Sequence, residues 1–424
     1  MTLKVGAAKL DVTPPIGVMM AGYGARLTPC EGIHDPLYAR ALALKSGSRA
    51  AVVLSLDLAG LDISLCERIR RAVEGLTGVP RDCVVVAATH THSGPQTGRY
   101  GADWADEGWV AQLVRKAASC AAEAMRRARP AAVGYGEGDA GEVAENRREP
   151  GGPVDPRVRV LALDDLETGE PLATVVNFSM HPVVLRANNT LISADYPGYL
   201  CRFLEKWGAG VAVFLQGTCG DVRPRLRGTD DLEESFRRAE RVGRVVAAEA
   251  LKARDLAWDL RADVSVEARS AEYQLEVRPL PTLREVREAL ESVQASLASA
   301  KGPEERAQLG VRLYALRRLR FLLESRVASG RITTTSTYVS LGSVARMLTI
   351  PGEPLTRFGL ELREGLGLEH LMLVGYANDY VGYVPSAEDL RRGGYEASTP
   401  WCVLTERSVG EMLSALRGLA RGGP

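Results

Sequence analysis

The sequence predicts an α/β protein with a mixed β-sheet core flanked by helices and an inserted helical hairpin at about residues 282–327. Short apolar runs rich in β-branched residues are typical of buried strands, and longer segments show the apolar spacing of amphipathic helices. The two kinds of segment alternate along the chain, which favours an α/β architecture. Because no internal repeat or low-complexity linker divides the sequence, we expect residues 1–424 to form a single domain.

The predicted strands are short apolar runs bounded by polar or turn-forming residues. They cover residues 51–56, 83–88, 158–163, 173–178, 211–215, 345–350 and 371–374. The predicted helices carry apolar residues at three- and four-residue spacing. They cover residues 64–76, 109–128, 196–207, 234–253 and 405–420.

The segment 282–327 differs from the rest of the chain because it is charge-rich and helix-prone, with the sequence KGPEE near its middle. We interpret it as two long helices joined by a turn at residues 301–303. A surface helical pair without chemistry is the simplest role for such a hairpin. A role in dimerisation or in shaping the mouth of a pocket is the alternative.

The composition is that of a soluble globular protein, with 46% hydrophobic and 25% charged residues. Lysine plus arginine equals aspartate plus glutamate at 53 each, which argues against a general nucleic-acid-binding or anionic-membrane surface. Seven cysteines lie far apart without a CxxC pair, a pattern that predicts buried reduced thiols. The sequence shows neither a signal-peptide pattern nor an apolar run long enough for a membrane span. We therefore expect a cytoplasmic protein with no nucleic-acid partner.

Ionisable side chains follow the predicted strands, at the point where each strand ends. They belong to Asp57, His90, His92, His181, Asp221, Glu353, Asp379 and Tyr380. Ligands of open α/β sheets bind beyond the carboxyl ends of the strands. If these strands are roughly parallel neighbours, the side chains share one crevice. His34 and His370 lie away from these strand ends, and we expect them to be structural.

Two of the five histidines, His90 and His92, stand in the sequence AATHTHSGP directly after an apolar run. Residues i and i+2 of a strand point to the same face, so both imidazoles would face one site. A divalent metal ion satisfies such a pair, and His181 and Glu353 are the natural additional ligands. A histidine pair satisfied by protein groups alone is the alternative.

Several short motifs occur in a fixed order along most of the chain. They are GIHDPLYARAL, AATHTHSGP, ENRREP, NFSMHPVVL, FLQGTCGDVRP, IPGEP and YANDYVGYVPS. Together they resemble the neutral/alkaline non-lysosomal ceramidase family, and their combination is specific although each motif alone is not. The resemblance is to the N-terminal catalytic domain of that family, without the C-terminal immunoglobulin-like domain of its secreted members.

The resemblance implies an α/β catalytic domain that holds one zinc ion, Zn²⁺, as its cofactor. The implied zinc ligands are His90, His181, Glu353 and Tyr380. The expected catalytic residues are His92, Arg147 and Tyr395. His92 would bind substrate or orient the zinc-bound water and then protonate the leaving amine. Arg147 matches a family arginine that lines the active site, and Tyr395 is a candidate donor to the oxyanion.

The function implied by the resemblance is zinc-dependent hydrolysis of a linear amide in an N-acyl substrate, by metal-activated water. Arg223 stands where the family has a serine after the sequence GDV, so a serine-nucleophile mechanism is not carried over. Arg147 and Arg223 together would favour a substrate with a carboxylate or phosphate group.

Two other functions stay open at this point. A zinc esterase or peptidase-type hydrolase of a small polar or anionic substrate fits the same residues. A non-catalytic metal-binding protein is less favoured, because structural zinc sites are usually closed by four Cys or His ligands. The cavity discriminates between substrates: a long apolar tunnel favours lipid-like N-acyl compounds, and a shallow charged cup favours small polar ones. A homo-oligomer is one of the arrangements that the sequence allows.

Overall fold

The computed structural model describes residues 2–98 and 105–422. Within them the strands are β1 (Lys4–Asp11), β2 (Gly32–Ile33), β3 (Tyr38–Ser46), β4 (Arg49–Leu56), β5 (Val84–Ala88), β6 (Arg129–Asp139), β7 (Ala144–Asn146), β8 (Arg157–Asp165), β9 (Pro171–Phe178), β10 (Leu191–Ile192), β11 (Val211–Gln216), β12 (Val222–Pro224), β13 (Val266–Glu276), β14 (Val327–Ala328), β15 (Arg331–Leu341), β16 (Ala345–Thr349), β17 (Glu353–Pro354), β18 (Leu371–Val374) and β19 (Tyr383–Val384). The helices are α1 (Ile63–Thr77), α2 (Glu107–Arg126), α3 (Asp195–Lys206), α4 (Leu232–Asp255), α5 (Leu283–Ser299), α6 (Pro303–Phe321), α7 (Thr356–Leu366), α8 (Ala387–Arg392) and α9 (Glu406–Arg421).

The largest sheet holds eight strands in the order β11-β9-β8-β6-β1-β3-β4-β5. Strands β4 and β5 are parallel, as are β9 and β11, and the other neighbours are antiparallel. A second sheet has the order β13-β15-β16-β18, with β14 paired to β15 and with β16 and β18 parallel. The predicted mixed β-sheet core is confirmed, but it is divided between two sheets.

The two sheets pack face to face, and helices cover their outer faces. Leu54 of β4 belongs to the core beneath α1, α2, α3 and α4, whereas its neighbour Val53 belongs to the core between the sheets with Val339. Since alternate residues of a strand point to opposite faces, a strand buried on both faces reads as an unbroken apolar run. Beyond the second sheet, Phe358 of α7 and Met412 of α9 form a third core. The architecture therefore has four layers, in the order helices, sheet, sheet, helices.

The predicted helical hairpin is present. Thr282 and Glu285 form a capping box at the start of α5, and Pro303 is the first residue of α6, where a proline is well tolerated. Val286 and Leu313 belong to a small core of the hairpin's own. A π-helical turn at Leu322–Arg326 leads from α6 into β14.

Five long strands were not predicted, because the prediction identified strands by short apolar runs. They are β1, β3, β6, β13 and β15. In β6, glycine lets α4 approach closely, because a Cβ at Gly136 would lie 2.0 Å from the carbonyl oxygen of Ala253. In β15, Thr334 and Thr337 are fully buried with their hydroxyl groups hydrogen-bonded. Strands built from small or satisfied polar residues carry no apolar run for the sequence to reveal.

All seven cysteines are free, and six of them are buried, as the sequence predicts. Among the helices of the described ranges, none has both the length and the apolar character that crossing a bilayer requires.

Candidate metal centre and cavity

Three imidazoles meet near the carboxyl ends of β5 and β9. The Nε2 atoms of His90 and His92 are 3.1 Å apart. One ring nitrogen from each of His90, His92 and His181 lies within 4.8 Å of the other two. His90 and His181 are fully buried and His92 partly so. His92, which was predicted to be a catalytic residue, therefore lies in the same cluster as the two predicted histidine ligands, His90 and His181.

Backbone carbonyls fix the orientation of two of these rings. The Nδ1 atom of His90 donates to the oxygen of Ala59 at 2.5 Å, and that of His181 donates to the oxygen of Cys219 at 2.7 Å. A carbonyl oxygen only accepts, so Nδ1 of each ring carries a proton, and in the neutral form the lone pair lies on Nε2. Burial lowers the pKa of His181 to about 4, which keeps it neutral near pH 7. Such a carbonyl partner is the usual support of a metal-binding histidine.

Glu353 lies against the same Nε2 atoms. Its Oε2 is 3.4 Å from the Nε2 of His90 and 3.3 Å from that of His181. The hydroxyl of Tyr380 donates to the other carboxylate oxygen. His90, His181, Glu353 and Tyr380 thus lie in one network of contacts.

The spacing of these atoms fits a metal ion. Neighbouring ligand atoms of a tetrahedral zinc site with bonds of about 2.0–2.1 Å are ~3.3 Å apart. The distances from the Glu353 oxygen to the two imidazole nitrogens are 3.4 and 3.3 Å. The Nε2 of His181 is buried and makes no hydrogen bond within the described part of the chain. A metal site therefore explains this arrangement better than a histidine pair satisfied by protein groups.

His90 does not belong to a strand. β5 ends at Ala88, and His90 has a φ of 70°, in the left-handed region that residues with a Cβ rarely adopt. The expectation of strand alternation was wrong in this respect, because a turn rather than a pleat brings the two rings together. Tyr376 and Asn378 also have positive φ, and the ring of Tyr376 stacks on that of His90 with centroids 4.0 Å apart. Strained backbone of this kind concentrates at functional sites.

The strand ends do converge, but not as neighbours in one sheet. The parallel pairs β4–β5 and β9–β11 come from the main sheet, and the pair β16–β18 comes from the second sheet. Hydrogen bonds join the last residue of β11 to the segments that follow β5 and β18, from the Gln216 side chain to the oxygen of Thr89 and from the nitrogen of Gly375 to the oxygen of Gln216. Another bond joins Gly220 to Pro354. The predicted crevice therefore lies where two sheets meet.

Three acidic residues at the strand ends support loops. Asp57 forms a buried ion pair with Arg40 at 2.8 Å. Asp221 accepts hydrogen bonds from the backbone nitrogen and the hydroxyl of Thr356, both at 2.8 Å. Asp379 pairs with an arginine of the π-helical turn. These contacts hold the loops that carry the candidate ligands.

A cavity of about 660 Å³ adjoins His92 and Glu353. Its described lining consists of Gly22, Tyr23, His92, Arg147, Val183, Arg186, Arg223, Arg225, Arg227, Gly228, Arg238, Tyr314, Arg318, Glu353, Tyr380, Tyr383, Tyr395 and Trp401. Of these residues, Val183 has the only aliphatic side chain and Glu353 the only carboxylate. The lining is therefore charged and aromatic, unlike that of an apolar tunnel.

The remaining predicted site residues line this cavity. Arg147 donates to Glu396 at 2.9 Å and to the hydroxyl of Tyr383 at 2.8 Å. Arg223 is paired with a glutamate of β7 at 2.8 Å. Tyr395 is half exposed, and its ring packs against that of Tyr383 with centroids 6.0 Å apart.

Residues 3–241 match the sequence profile described as neutral/alkaline non-lysosomal ceramidase, N-terminal. The chain belongs to this family. The neutral ceramidase of Pseudomonas aeruginosa is 24% identical over an alignment 473 positions long, which covers 94% of this chain and 69% of the relative. The neutral ceramidase of Mycobacterium tuberculosis is 24% identical, with 98% and 77% covered. Neutral ceramidase A of Dictyostelium discoideum is 26% identical, and the match spans 53% of this chain and 36% of that relative.

Two solved structures share the ceramidase-family fold. The crystal structure of neutral ceramidase from Pseudomonas aeruginosa aligns with a TM-score of 0.79 at 20% sequence identity, covering 100% of this chain and 75% of that one. A structure described as ceramidase complexed with C2 aligns with a TM-score of 0.77 at 21% identity, covering 100% and 76%. These likenesses confirm the predicted fold class.

Two tyrosines of this ceramidase-family site were not among the predicted residues. The hydroxyl of Tyr376 lies 3.2 Å from the sulfur of Cys219 and 3.4 Å from Glu353. Tyr383 lines the cavity and holds Arg147. Both stand in the motif YANDYVGYVPS, so the sequence signal was available, but the motif alone does not say which of its three tyrosines face the site.

The helical hairpin contributes to the cavity wall, a role that the simplest interpretation did not assign to it. Helix α6 supplies Tyr314 and Arg318, which are four residues apart and therefore on one face of the helix. Arg318 donates to the carbonyl of Pro400, and its guanidinium lies 4.8 Å from the centre of the Tyr380 ring. Shaping of the cavity is thus the role of the hairpin that the structure supports.

Proposed function

We propose that this protein is a zinc-dependent hydrolase that cleaves the amide bond of an N-acyl substrate with a metal-activated water. Membership of the ceramidase family supports amide hydrolysis. One observation carries the metal dependence: the Nε2 atoms of His90 and His181 and the Oε2 of Glu353 come together at the ~3.3 Å spacing of metal ligands.

His90, His181 and Glu353 are the residues that would hold the ion, because neutral imidazole nitrogen and carboxylate oxygen are ordinary zinc ligands. Tyr380 is the fourth candidate, and it would have to release the proton that it now donates to Glu353. A zinc ion held there supplies a Lewis acid and a water of lowered pKa for attack on a carbonyl carbon.

Other residues of the chain would bind and orient the substrate. Arg147 is fixed by Glu396 and Tyr383, so its guanidinium presents a preorganised positive charge at the cavity wall. His92 lines the cavity beside Glu353 and is the ring best placed to exchange a proton with a bound amide. Tyr395 stands at the cavity edge, where its hydroxyl can donate to an incoming substrate.

An N-acyl, lipid-like amine is the substrate class that the relatives favour. Several of them are named neutral ceramidases, and one solved structure is described as a complex with C2. Both sheets contribute to the site, which supports a single catalytic domain, since His90 and His181 follow strands of the main sheet and Glu353 follows β16 of the second. A cytoplasmic location stays a prediction.

The metal proposal is tested by zinc content and amide hydrolysis in purified variants. We expect His181→Ala and Glu353→Ala to lose bound zinc and to lower the release of sphingosine from N-acetylsphingosine at least about 100-fold, because the metal contributes several kcal/mol. His370→Ala is the matched control. His370 lies outside the three-imidazole group, with Nδ1 3.0 Å from the carbonyl of Val344, and should keep full zinc and activity. Full zinc in both ligand variants would refute the proposed ligand set.

A further inference from the structure

Seven arginines line the cavity against a single described carboxylate, that of Glu353. The chain as a whole has equal numbers of basic and acidic residues, so this surface concentrates positive charge. An uncharged N-acyl lipid offers no counter-charge, and the described lining has only Val183 as an aliphatic contact for a long acyl chain. The lining therefore indicates a substrate that is itself negatively charged.

Three of these arginines already have partners within the protein. Arg147, Arg223 and Arg238 each form an ion pair with a glutamate, at 2.9, 2.8 and 2.8 Å. Each of these three guanidinium groups therefore has a carboxylate beside it. Arg147 and Arg223, the residues that the sequence favoured for an anionic substrate, are therefore not the best candidates for holding one.

The partners of Arg186, Arg225 and Arg227 are different. Arg225 donates to a backbone carbonyl at 3.0 Å, and the guanidinium of Arg227 has no ion pair or hydrogen bond within residues 2–98 and 105–422. Arg186 is 3.4 Å from Asp230, whose side chain is 97% exposed, so solvent screens this pair. The three side chains are exposed and line the cavity, and no carboxylate forms a close ion pair with them in the described part of the chain.

Backbone contacts join the two loops that carry the three arginines. The nitrogen of Gly228 donates to the oxygen of Val184 at 2.8 Å, which joins the loop of Arg227 to the loop of Arg186. A Cβ at Gly228 would lie 2.6 Å from that oxygen, so the two loops touch. The leucine between Arg225 and Arg227 packs against the core beneath the helices, and both flanking arginines line the cavity.

We propose that Arg186, Arg225 and Arg227 form an anion-binding subsite, and that the substrate is an N-acylated amine carrying a phosphate-type group. The inference rests on the proposed hydrolase function and names its substrate class. A phosphate monoester carries about two negative charges and three acceptor oxygens, which guanidinium groups bind with two parallel hydrogen bonds. In the reaction the amide C–N bond breaks, the hydroxyl of water joins the acyl carbon, and a proton joins the amine nitrogen. The phosphate ester stays intact.

The test compares kcat/KM for three amides with the zinc-loaded protein of residues 1–424. They are N-acetylsphingosine, N-acetylsphingosine 1-phosphate and the water-soluble N-acetyl-O-phosphoethanolamine. We expect at least one phosphorylated amide to exceed N-acetylsphingosine about tenfold or more. The two phosphorylated compounds distinguish a lipid source of the phosphate group from a soluble one. A wild-type protein that prefers the neutral amide would overturn the inference and leave the proposed hydrolase function standing.

The double variant Arg225→Ala/Arg227→Ala should lower the ratio of phosphorylated to neutral kcat/KM about 10- to 100-fold, because charge-assisted hydrogen bonds are lost. The matched control is Arg237→Ala/Arg241→Ala, which removes two exposed arginines of α4 that do not line the cavity. The control should keep the wild-type ratio. An equal fall in both double variants would overturn the inference, because general surface charge would then explain it.

A binding measurement separates this inference from the proposed function. If no amide is hydrolysed, the hydrolase proposal fails, and calorimetric titration with N-acetyl-O-phosphoethanolamine still tests the subsite. Binding to the wild type that weakens at least about tenfold in the cavity variant, but not in the control, supports the subsite. Absence of binding to the wild type overturns it.

Discussion

His92 touches a glycine, and this contact fixes where its ring lies. A Cβ at Gly22 would lie 2.4 Å from the Cγ of His92, and Gly22 has a φ of 96°. Tyr23 packs edge-on against the same ring, with centroids 4.9 Å apart. The position of His92 beside the other imidazoles therefore depends on the absence of a side chain at residue 22.

We expect Gly22→Ala to displace His92 and to lower kcat/KM on N-acetylsphingosine about 10- to 100-fold, since small misplacements of site groups have effects of this size. Gly17→Ala is the matched control. Gly17 has nearly the same φ, 97°, but a Cβ there meets nothing within 4 Å. The control should lose stability by about 1 kcal/mol or more while keeping its activity. Equal activity losses in the two variants would contradict this account of His92.

The residues of the centre were more predictable than their geometry. His181 and Glu353 follow from their places after apolar strands, and the structure brings both to His90. The left-handed backbone of His90 carries no sequence signal, because such strain is imposed by the hydrogen bonds around it. Tyr380 came only from the family resemblance, since a phenol after a strand is more often a core residue than a metal ligand.

Helix α6 reaches the cavity because a glycine lets it approach the loop beside Tyr23. A Cβ at Gly310 would lie 2.7 Å from the oxygen of Gly24. This close approach brings Tyr314 and Arg318, one and two turns further along α6, to the cavity wall. The sequence predicted the hairpin but not this contact, because its partner lies almost three hundred residues earlier in the chain.

We expect Gly310→Ala to push α6 outward and to lower kcat/KM on N-acetylsphingosine by about tenfold. Gly410→Ala is the matched control, because Gly410 also lies inside a helix, α9, and a Cβ there meets nothing within 4 Å. Helix propensity alone favours both substitutions by about 1 kcal/mol. The control should therefore raise the thermal midpoint and keep its activity. A Gly310→Ala variant that behaves like the control would show that the position of α6 does not matter for catalysis.

At the scale of the whole molecule, the site exists because two sheets end at the same place. Neither sheet alone supplies all four candidate metal ligands. His90 and His181 follow strands of the main sheet, whereas Glu353 and Tyr380 follow strands of the second sheet. Local patterns predicted most of the strands that carry these residues. They could not predict which strands belong to which sheet. Pairing between strands that are far apart in the sequence depends on tertiary packing, which a short sequence segment does not determine.

The proposed arginine subsite was likewise not predictable from local sequence. Arg186 and Arg227 are polar residues in loops about forty positions apart, so nothing in their local sequence relates them. A backbone hydrogen bond between Gly228 and Val184 and side-chain contacts of Arg186 and Asn188 join their loops. Charge concentration of this kind becomes visible only when the fold is known.

The most direct test of the central claim is an anomalous difference map from crystals of the zinc-loaded protein, measured at the zinc absorption edge. This account predicts one strong peak at about 2.0–2.2 Å from the Nε2 of His90, the Nε2 of His181 and an oxygen of Glu353. A peak elsewhere, for example at His34 or His370, or no peak at these three side chains, would contradict it.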